Sequence, residues 1–248
     1  MPEKQSNSVI LEVENLKAGY GEEVIISDVS FDVKETEILV ILGRSGCGKS
    51  TLLKSVTRLQ DPFEGSIKYR GEDITMAEED RLNAVLRKIG ISFQAGALFN
   101  SLTVFENVAL PLRELTDLGE AEIRALVIMK LSLVGLTDAA FLMPSEISGG
   151  MKKRAGLARA LALDPEMLFF DEPSAGLDPV TSAGVDKLIL ELRRLLGITI
   201  IVVTHELHSI KTIADRVLML HEGRQVFLGN LEDALTSEIP ELKSFFNP

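Results

Sequence analysis

GRSGCGKST, residues 43–51, follows directly on the apolar run EILVIL of residues 37–42. Three glycines and one lysine fall within those nine residues. Glycine weakens helices and strands alike, because it gives up the most backbone freedom on ordering. A stretch this rich in it is spelled for bare main chain. Gly43, Gly48, Lys49 and Ser50 satisfy G-x-x-x-x-G-K-[ST], with a β-branched run before and a helically spaced run after. Phosphate oxygens reach main-chain N–H groups only where no side chain intervenes. The free N–H groups and dipole at the start of the following helix favour an anion. Lys49 then points at the β- and γ-phosphates of a bound nucleotide, and the Ser50 hydroxyl is placed to ligate Mg²⁺. Cys47, inside the loop, reads as a small tolerated residue in preference to a redox sensor.

Outward from the loop, the chain reads as α/β. VILEVENLKAGY (9–20), VIISDVSFDV (24–33) and EILVIL (37–42) are rich in β-branched residues and predict strands. STLLKSVTRLQ (50–60) places Leu52, Leu53, Val56 and Leu59 on one helical face, with Pro62 as its stop. SIKYR and KIGISFQ predict two further strands. From Ala95 to Leu163 helical periodicity takes over, as in EAEIRALVIMKLSLVGL (120–136) and MKKRAGLARALAL (151–163), so an inserted helical subdomain is expected. MLFFDE (167–172) and TIIVVTHE (199–206) are apolar up to polar ends, the mark of central parallel strands covered on both faces. SAGVDKLILELRRLL between them predicts a crossover helix, RVLMLHEGRQVFLGN a hairpin, and the residues from Leu231 a helical tail.

Composition narrows the function classes. The 248 residues suit one large domain, and 46% hydrophobic against 25% charged residues is enough for a real core. A net charge of −11 repels nucleic acid at long range, so no nucleic-acid partner is expected. Cys47 is the one cysteine, which excludes an intrachain disulfide and fits a reducing compartment. MPEKQSNSVI (1–10) carries no apolar core of leader length. The longest apolar runs fall far short of the ~20 residues of a membrane span. The reading is a soluble, cytosolic chain, still able to dock on a membrane protein.

Three further stretches carry chemistry. In MLFFDE, Asp171 emerges at the carboxyl end of a buried strand, where it can hold Mg²⁺ near the phosphate loop, and Glu172 is placed to polarise a water. His205 ends a strand expected beside that one and can bond a γ-phosphate or orient the water. In EISGGMKKRAGLARALAL, Ser148 can cap a helix starting near Met151, while Gly149 and Gly150 leave N–H groups bare. This is a second anion site. One nucleotide hardly needs two from the same chain, so a dimer is expected, each copy closing over ATP held by the other. The cationic KKR (152–154) reads as a solvated face.

Together these stretches resemble the nucleotide-binding subunit of ATP-binding cassette (ABC) transporters, over essentially the whole chain. The resemblance implies one nucleotide-binding domain, residues 1–248. It would comprise a P-loop ATPase core on a parallel sheet, an N-terminal antiparallel β subdomain, a helical subdomain at 95–163 and a helical tail at 231–248. Tyr20 falls where the family stacks an aromatic on adenine. Gly43, Arg44, Ser45, Gly46, Cys47, Gly48, Lys49, Ser50 and Thr51 match the Walker A loop. Gln94 matches the Q-loop glutamine, which touches Mg²⁺ and senses the membrane partner. ISGGM matches the signature, whose Ser148, Gly149 and Gly150 would act in trans. MLFFDE matches Walker B, SAGLDP (174–179) the D-loop with Asp178 in trans, and His205 the switch histidine. Ile147 and Met151 depart from the usual LSGGQ, and Met151 removes a polar contact near the partner copy's nucleotide.

FQAGALFNSLTVFENVALPL (93–112) and SGGMKKRAGLARALALDPEMLFFDEPSAGLDP are similar to the ATPases of Mla-type lipid transporters. That branch implies two ATPases, two permeases docked in the groove after the Q-loop and an MCE-domain protein beyond the membrane. It also implies phospholipid or a related lipid as cargo, and a peripheral place on the inner face of the cytoplasmic membrane. ATPases of glycine betaine and amino-acid importers share much of the pattern. Those of division, lipoprotein-release and iron–sulfur assembly complexes stay open beside them. LTSEIPELKSFFNP (235–248) either grips a neighbouring subunit through Leu242, Phe245 and Phe246 or packs as a helix on its own domain.

Overall fold

A computed structural model of the chain describes residues 8–247. The leader-region reading falls, through residue 7, outside the described residues, and so does Pro248. The N-terminal half runs β1 Val9–Tyr20, β2 Glu23–Lys34, β3 Ile38–Leu42, α1 Lys49–Val56, β4 Glu64–Tyr69, β5 Glu72–Asp73, α2 Glu79–Leu86 and β6 Ile89–Ser92. Three helices follow, α3 Val104–Leu115, α4 Glu120–Leu133 and α5 Gly149–Ala160. The chain closes with β7 Met167–Asp171, α6 Pro179–Leu196, β8 Thr199–Val203, α7 Leu207–Ile213, β9 Arg216–His221, β10 Arg224–Asn230, α8 Leu231–Leu235 and α9 Pro240–Phe246.

The central sheet has the order β10-β9-β3-β8-β7-β6, parallel except for the β9–β10 hairpin. Every residue of β3 and β8 is buried, because both faces of the sheet are covered. Alternation along each strand divides the core in two. Ile38, Val40, Leu42, Leu168, Phe170, Ile200 and Val202 face the helices. Leu39, Ile41, Met167, Phe169, Ile201 and Val203 face α1 and the second sheet. That second sheet is antiparallel, β2-β1-β4-β5. Arg216 ties it to the core through Asp32 at 3.0 Å and Glu37 at 3.1 Å. Tyr69 Oη adds a bond to Glu166 at 3.0 Å.

The helical subdomain is α3 to α5. A capping box of Thr103 and Glu106 starts α3. The fully buried Asn107 amide bonds Phe99, Leu102 and Thr103 carbonyls and accepts from the Phe99 N–H, which fixes the turn before the helix. Ile123, Val127 and Leu131, spaced by four, are the buried stripe of α4.

Two details differ from the expectations. α1 stops at Val56 instead of continuing to Gln60, because Arg58 turns left-handed (φ +54°) to donate to the Ile74 carbonyl at 3.0 Å. β5 and α2 carried no readable signal. Only Val85 of α2 is buried, so that helix has almost no apolar face. The tail packs on its own domain, with Leu242 and Phe246 buried in the helix-side core and Phe245 against it. This follows the reading in which the tail packs as a helix on its own domain, with Phe245 left partly exposed.

Candidate active site

Parallel pairing aligns the carboxyl ends of β3, β6, β7 and β8 on one edge of the sheet. The phosphate loop, the Gln94 turn, Asp171–Glu172 and His205 all leave from that edge, the side on which open α/β sheets bind ligands.

The loop's glycines are demanded by its own chain. A Cβ on Gly43 would lie 2.4 Å from the Leu220 carbonyl oxygen, and one on Gly48, at φ +101°, 2.4 Å from Ile26 Cγ2. Lys49 is buried, its ammonium donating to the Gly43 carbonyl at 2.8 Å and the Arg44 carbonyl at 3.2 Å. The head of α1 has neither a side-chain cap nor an acid in its first turn, so its N–H groups stay available to an anion. Arg44, Ser45, Gly46 and Ser50 are exposed along the lip, and Thr51 turns inward. Burial pushes the Cys47 thiol up, which keeps it protonated and unreactive and suits its reading as a packed loop residue.

Asp171 ends β7 half-buried. Burial raises its pKa, the Glu172 charge adds to that, and Lys54 and Lys49 oppose it. Glu172 adopts a left-handed backbone (φ +50°), and its N–H donates to the Val203 carbonyl at 2.8 Å. Glu172 Oε1 lies 2.8 Å from His205 Nδ1, as expected from neighbouring strands. Asp171 Oδ1 and Glu172 Oε2 are buried without a hydrogen-bond partner among the described residues. Each such orphan costs about 1–3 kcal/mol, so both call for a partner from outside the chain. Carboxylate and hydroxyl oxygens at this spot are donors of the type a hard divalent cation takes.

Gln94 is exposed just beyond β6, and Ser92 of that strand pairs with Phe170 of β7. The turn after Gln94 lies directly on α5. Cβ atoms on Gly96 and Gly156 would come within 2.6 Å of the Lys152 and Gly96 carbonyl oxygens respectively. Arg159 holds the Ala97 and Gly96 carbonyls at 2.8 and 3.1 Å. The sequence reading missed this seam, although a glycine inside a helical pattern, Gly156, was a usable signal.

Tyr20 stands exposed at the end of β1 in a cleft of about 510 Å³ shared with Gly21, Lys54, Gln60 and Phe63. Lys54 Nζ is 3.3 Å from its hydroxyl and 5.6 Å from its ring centre. Nothing in the sequence separated Lys54 from any solvated helix lysine.

Ser148 caps α5, accepting from Met151 N–H at 3.2 Å. Gly149 has open space where a Cβ would be, and Gly150 faces Thr181 Cγ2 at 3.0 Å. Asp178 caps α6, accepting from the Val180 and Thr181 N–H groups at 3.0 and 3.1 Å. The Thr181 hydrogen bonds hold its carboxyl below the usual range. No hydrogen bond among the described residues joins Ser148–Gly150 or Asp178 to residues 43–51 of the same chain. The expected solvated KKR face is corrected. Lys153 donates to the carbonyls of Glu172, Pro173 and Ala175, and Arg154 to that of Val134. α5 lies against the strand-end segment, so these two half-buried cations are spent on main-chain carbonyls.

Residues 26–175 match the family model described as ABC transporter. The chain is 43% identical over 232 residues to the intermembrane phospholipid transport system ATP-binding protein MlaF of Haemophilus influenzae, covering 94% of this chain and 88% of that one. It is 39% identical over 244 residues to MlaF of Escherichia coli, covering 98% and 91%. It is 44% identical over 239 residues to the probable ribonucleotide transport ATP-binding protein mkl of Mycobacterium leprae, covering 96% and 69%. Among solved structures, cbiO1 from Clostridium perfringens, part of the transporter complex cbiONQ, superposes with a TM-score of 0.85 at 31% identity, covering 93% and 92%. The cassette MJ0796, solved as a dimer in a post-hydrolysis state with ADP and Pi, gives 0.82 at 31% identity, covering 90% and 99%.

Proposed function

Since the chain belongs to the ABC transporter family and is the ATPase of a membrane transporter, we propose that it energises the movement of phospholipid or a related lipid through a partner permease. The observation that carries its hydrolytic part is the buried Asp171–Glu172 pair, with two unpartnered oxygens and His205 on Glu172, beside a phosphate loop. Glu172 acts as general base on the attacking water, and His205 orients that carboxylate and the water. Lys49 neutralises charge on the β- and γ-phosphates, and Tyr20 stacks on the adenine. Ser50, Asp171 and Gln94 would hold Mg²⁺, which supplies further charge neutralisation when bound.

Two copies sandwich two nucleotides head to tail. Each copy lends Ser148, Gly149, Gly150 and Asp178 to the ATP on its partner's loop. ATP closes the pair, and loss of the γ-phosphate releases it. The dimeric cassette MJ0796 supports this arrangement. A groove of about 430 Å³ between α2, β6, α3 and α5, lined by Leu86, Ile91, Phe93, Pro111, Leu115 and Arg159, takes the permease. An MCE-domain protein completes the complex beyond the membrane. No described helix is long and apolar enough to cross a membrane. The subunit's proposed place is peripheral, on the inner face of the cytoplasmic membrane, held by the permease.

The lipid reading draws on the MlaF relatives, and the mkl relative's name favours a second cargo, ribonucleotide. Glu172→Gln is expected to cut steady-state ATP turnover about a hundredfold while nucleotide still binds. Retained turnover overturns the catalytic reading. Phospholipid co-purifying with the permease complex, and depleted on ATP turnover, supports the lipid cargo. Ribonucleotide uptake by the same complex replaces it.

A further inference from the structure

Lys153 sits one turn into α5, the helix that Ser148 caps. Its ammonium donates to three main-chain carbonyls, Glu172 at 3.3 Å, Pro173 at 3.0 Å and Ala175 at 2.5 Å. An ammonium has three donors and no acceptor, so its whole hydrogen-bonding capacity goes to this one turn. The turn is compact and unusual. Glu172 is left-handed without being glycine, Ala175 N–H bonds back to the Glu172 carbonyl at 3.3 Å, and Gly176 follows at φ +74°. A non-glycine residue holds such a conformation only when its surroundings over-determine it. The Val203 carbonyl grips the Glu172 N–H from one side, and Lys153 gathers the turn's carbonyls from the other. The lysine is half-buried, and burial pulls its pKa below the ordinary value against the pull of the Glu172 charge.

We propose that Lys153 is a positioning residue that locks the Glu172–Ala175 turn to the head of α5, so that the Glu172 carboxylate and the Ser148–Gly150 end move as one body. The inference rests on Glu172 being the general base. It extends that reading by giving a physical link between the two anion sites of one chain. Contact of Ser148–Gly150 with a partner's nucleotide shifts the first turn of α5, and Lys153 carries that shift to the backbone holding the base.

The test is a double-mutant cycle in the full chain, reading ATP turnover. Lys153→Met keeps the length and removes the donors. It is expected to lower kcat about tenfold or more with KM for ATP within about twofold. Lys153→Arg, which restores charge and donors, should recover part of the loss. In the Glu172→Gln background, Lys153→Met should change the residual rate by less than about twofold, because the group it positions is already gone. A wild-type kcat in Lys153→Met overturns the proposal. So does a loss carried by KM, or one that multiplies through the Glu172→Gln background, since a merely structural lysine would act in both. Glu172→Gln retaining turnover on its own would instead sink the base assignment beneath it. If thermal melting shows that Lys153→Met does not fold, Lys153→Gln, which keeps a polar head but loses the charge and the third donor, carries the same cycle.

Discussion

The phosphate loop and the Ser148–Gly150 turn are both glycine-bearing helix starts, but they stand differently toward their own chain. Gly43 and Gly48 are required by the packing around them, with the Leu220 carbonyl and Ile26 occupying the space a Cβ would take. Gly149 has nothing within 4 Å of that position and an ordinary backbone angle. The first loop is complete in one molecule, its lysine already folded over its carbonyls. The second is held by the Met151 N–H on the Ser148 hydroxyl and the Lys152 N–H on the Ser148 carbonyl, the ordinary bonds of a capped helix start. A glycine that the chain's own fold does not need is free to serve something outside the chain, and in the proposed sandwich of two copies that something would be the partner's nucleotide.

The largest effects break this contrast outright. Lys49→Ala is expected to lower kcat about a hundredfold or more while leaving thermal melting of the nucleotide-free chain within about 3 °C. Ser148→Arg is expected to leave ATP-analogue affinity of the dilute, monomeric chain within about twofold and to reduce turnover by the pair about a hundredfold. Weakened binding to the single subunit, or turnover from a strictly monomeric preparation, would put both loops in one molecule and end the comparison.

A smaller effect sharpens it. Gly48→Ala should lose about 2 kcal/mol of stability, from the Ile26 clash and the left-handed angle. Gly149→Ala should stay within about 0.5 kcal/mol, and its cost should show in turnover instead. Denaturant unfolding of both variants measures the difference, and equal losses would mean that Gly149 serves its own fold after all.

The smallest effect concerns Asp171. Its folded pKa is raised, chiefly by burial, so the native state binds the proton more tightly than the unfolded chain does. The group therefore favours folding below its unfolded pKa, and that contribution is lost as pH rises through the folded value. Asp171→Asn should unfold at higher urea than the parent at pH 7, with the gap closing at about pH 3. A less stable Asp171→Asn at pH 7 would mean that the carboxylate is satisfied in the free chain. That outcome would remove the call for an outside cation.

Much of this molecule is written locally. A run of four apolar residues ending in polar ones announces a strand covered on both faces, and MLFFDE and TIIVVTHE are legible as neighbours from that pattern. The end of α1, the shallow helix α2 and the inward tail were less legible. Each depends on a distant contact, such as Arg58 on the Ile74 carbonyl or Phe246 in the helix-side core, that leaves no periodic trace. Lys153 is the sharpest case. In KKR it is one cation of three, and helical spacing alone makes it a surface residue.

The sequence by itself determined the phosphate loop, the strand-end carboxylates and the Ser148 cap, because each needs particular residue types within a few positions of one another. Tertiary structure alone decided that Lys153 bonds the turn after Glu172, that Gly96 and Gly156 bring two segments into backbone contact, and that Gly149 faces open space. Those facts depend on how α5 packs against the sheet's edge, and a lysine's spelling is the same whether water or three carbonyls receive its protons.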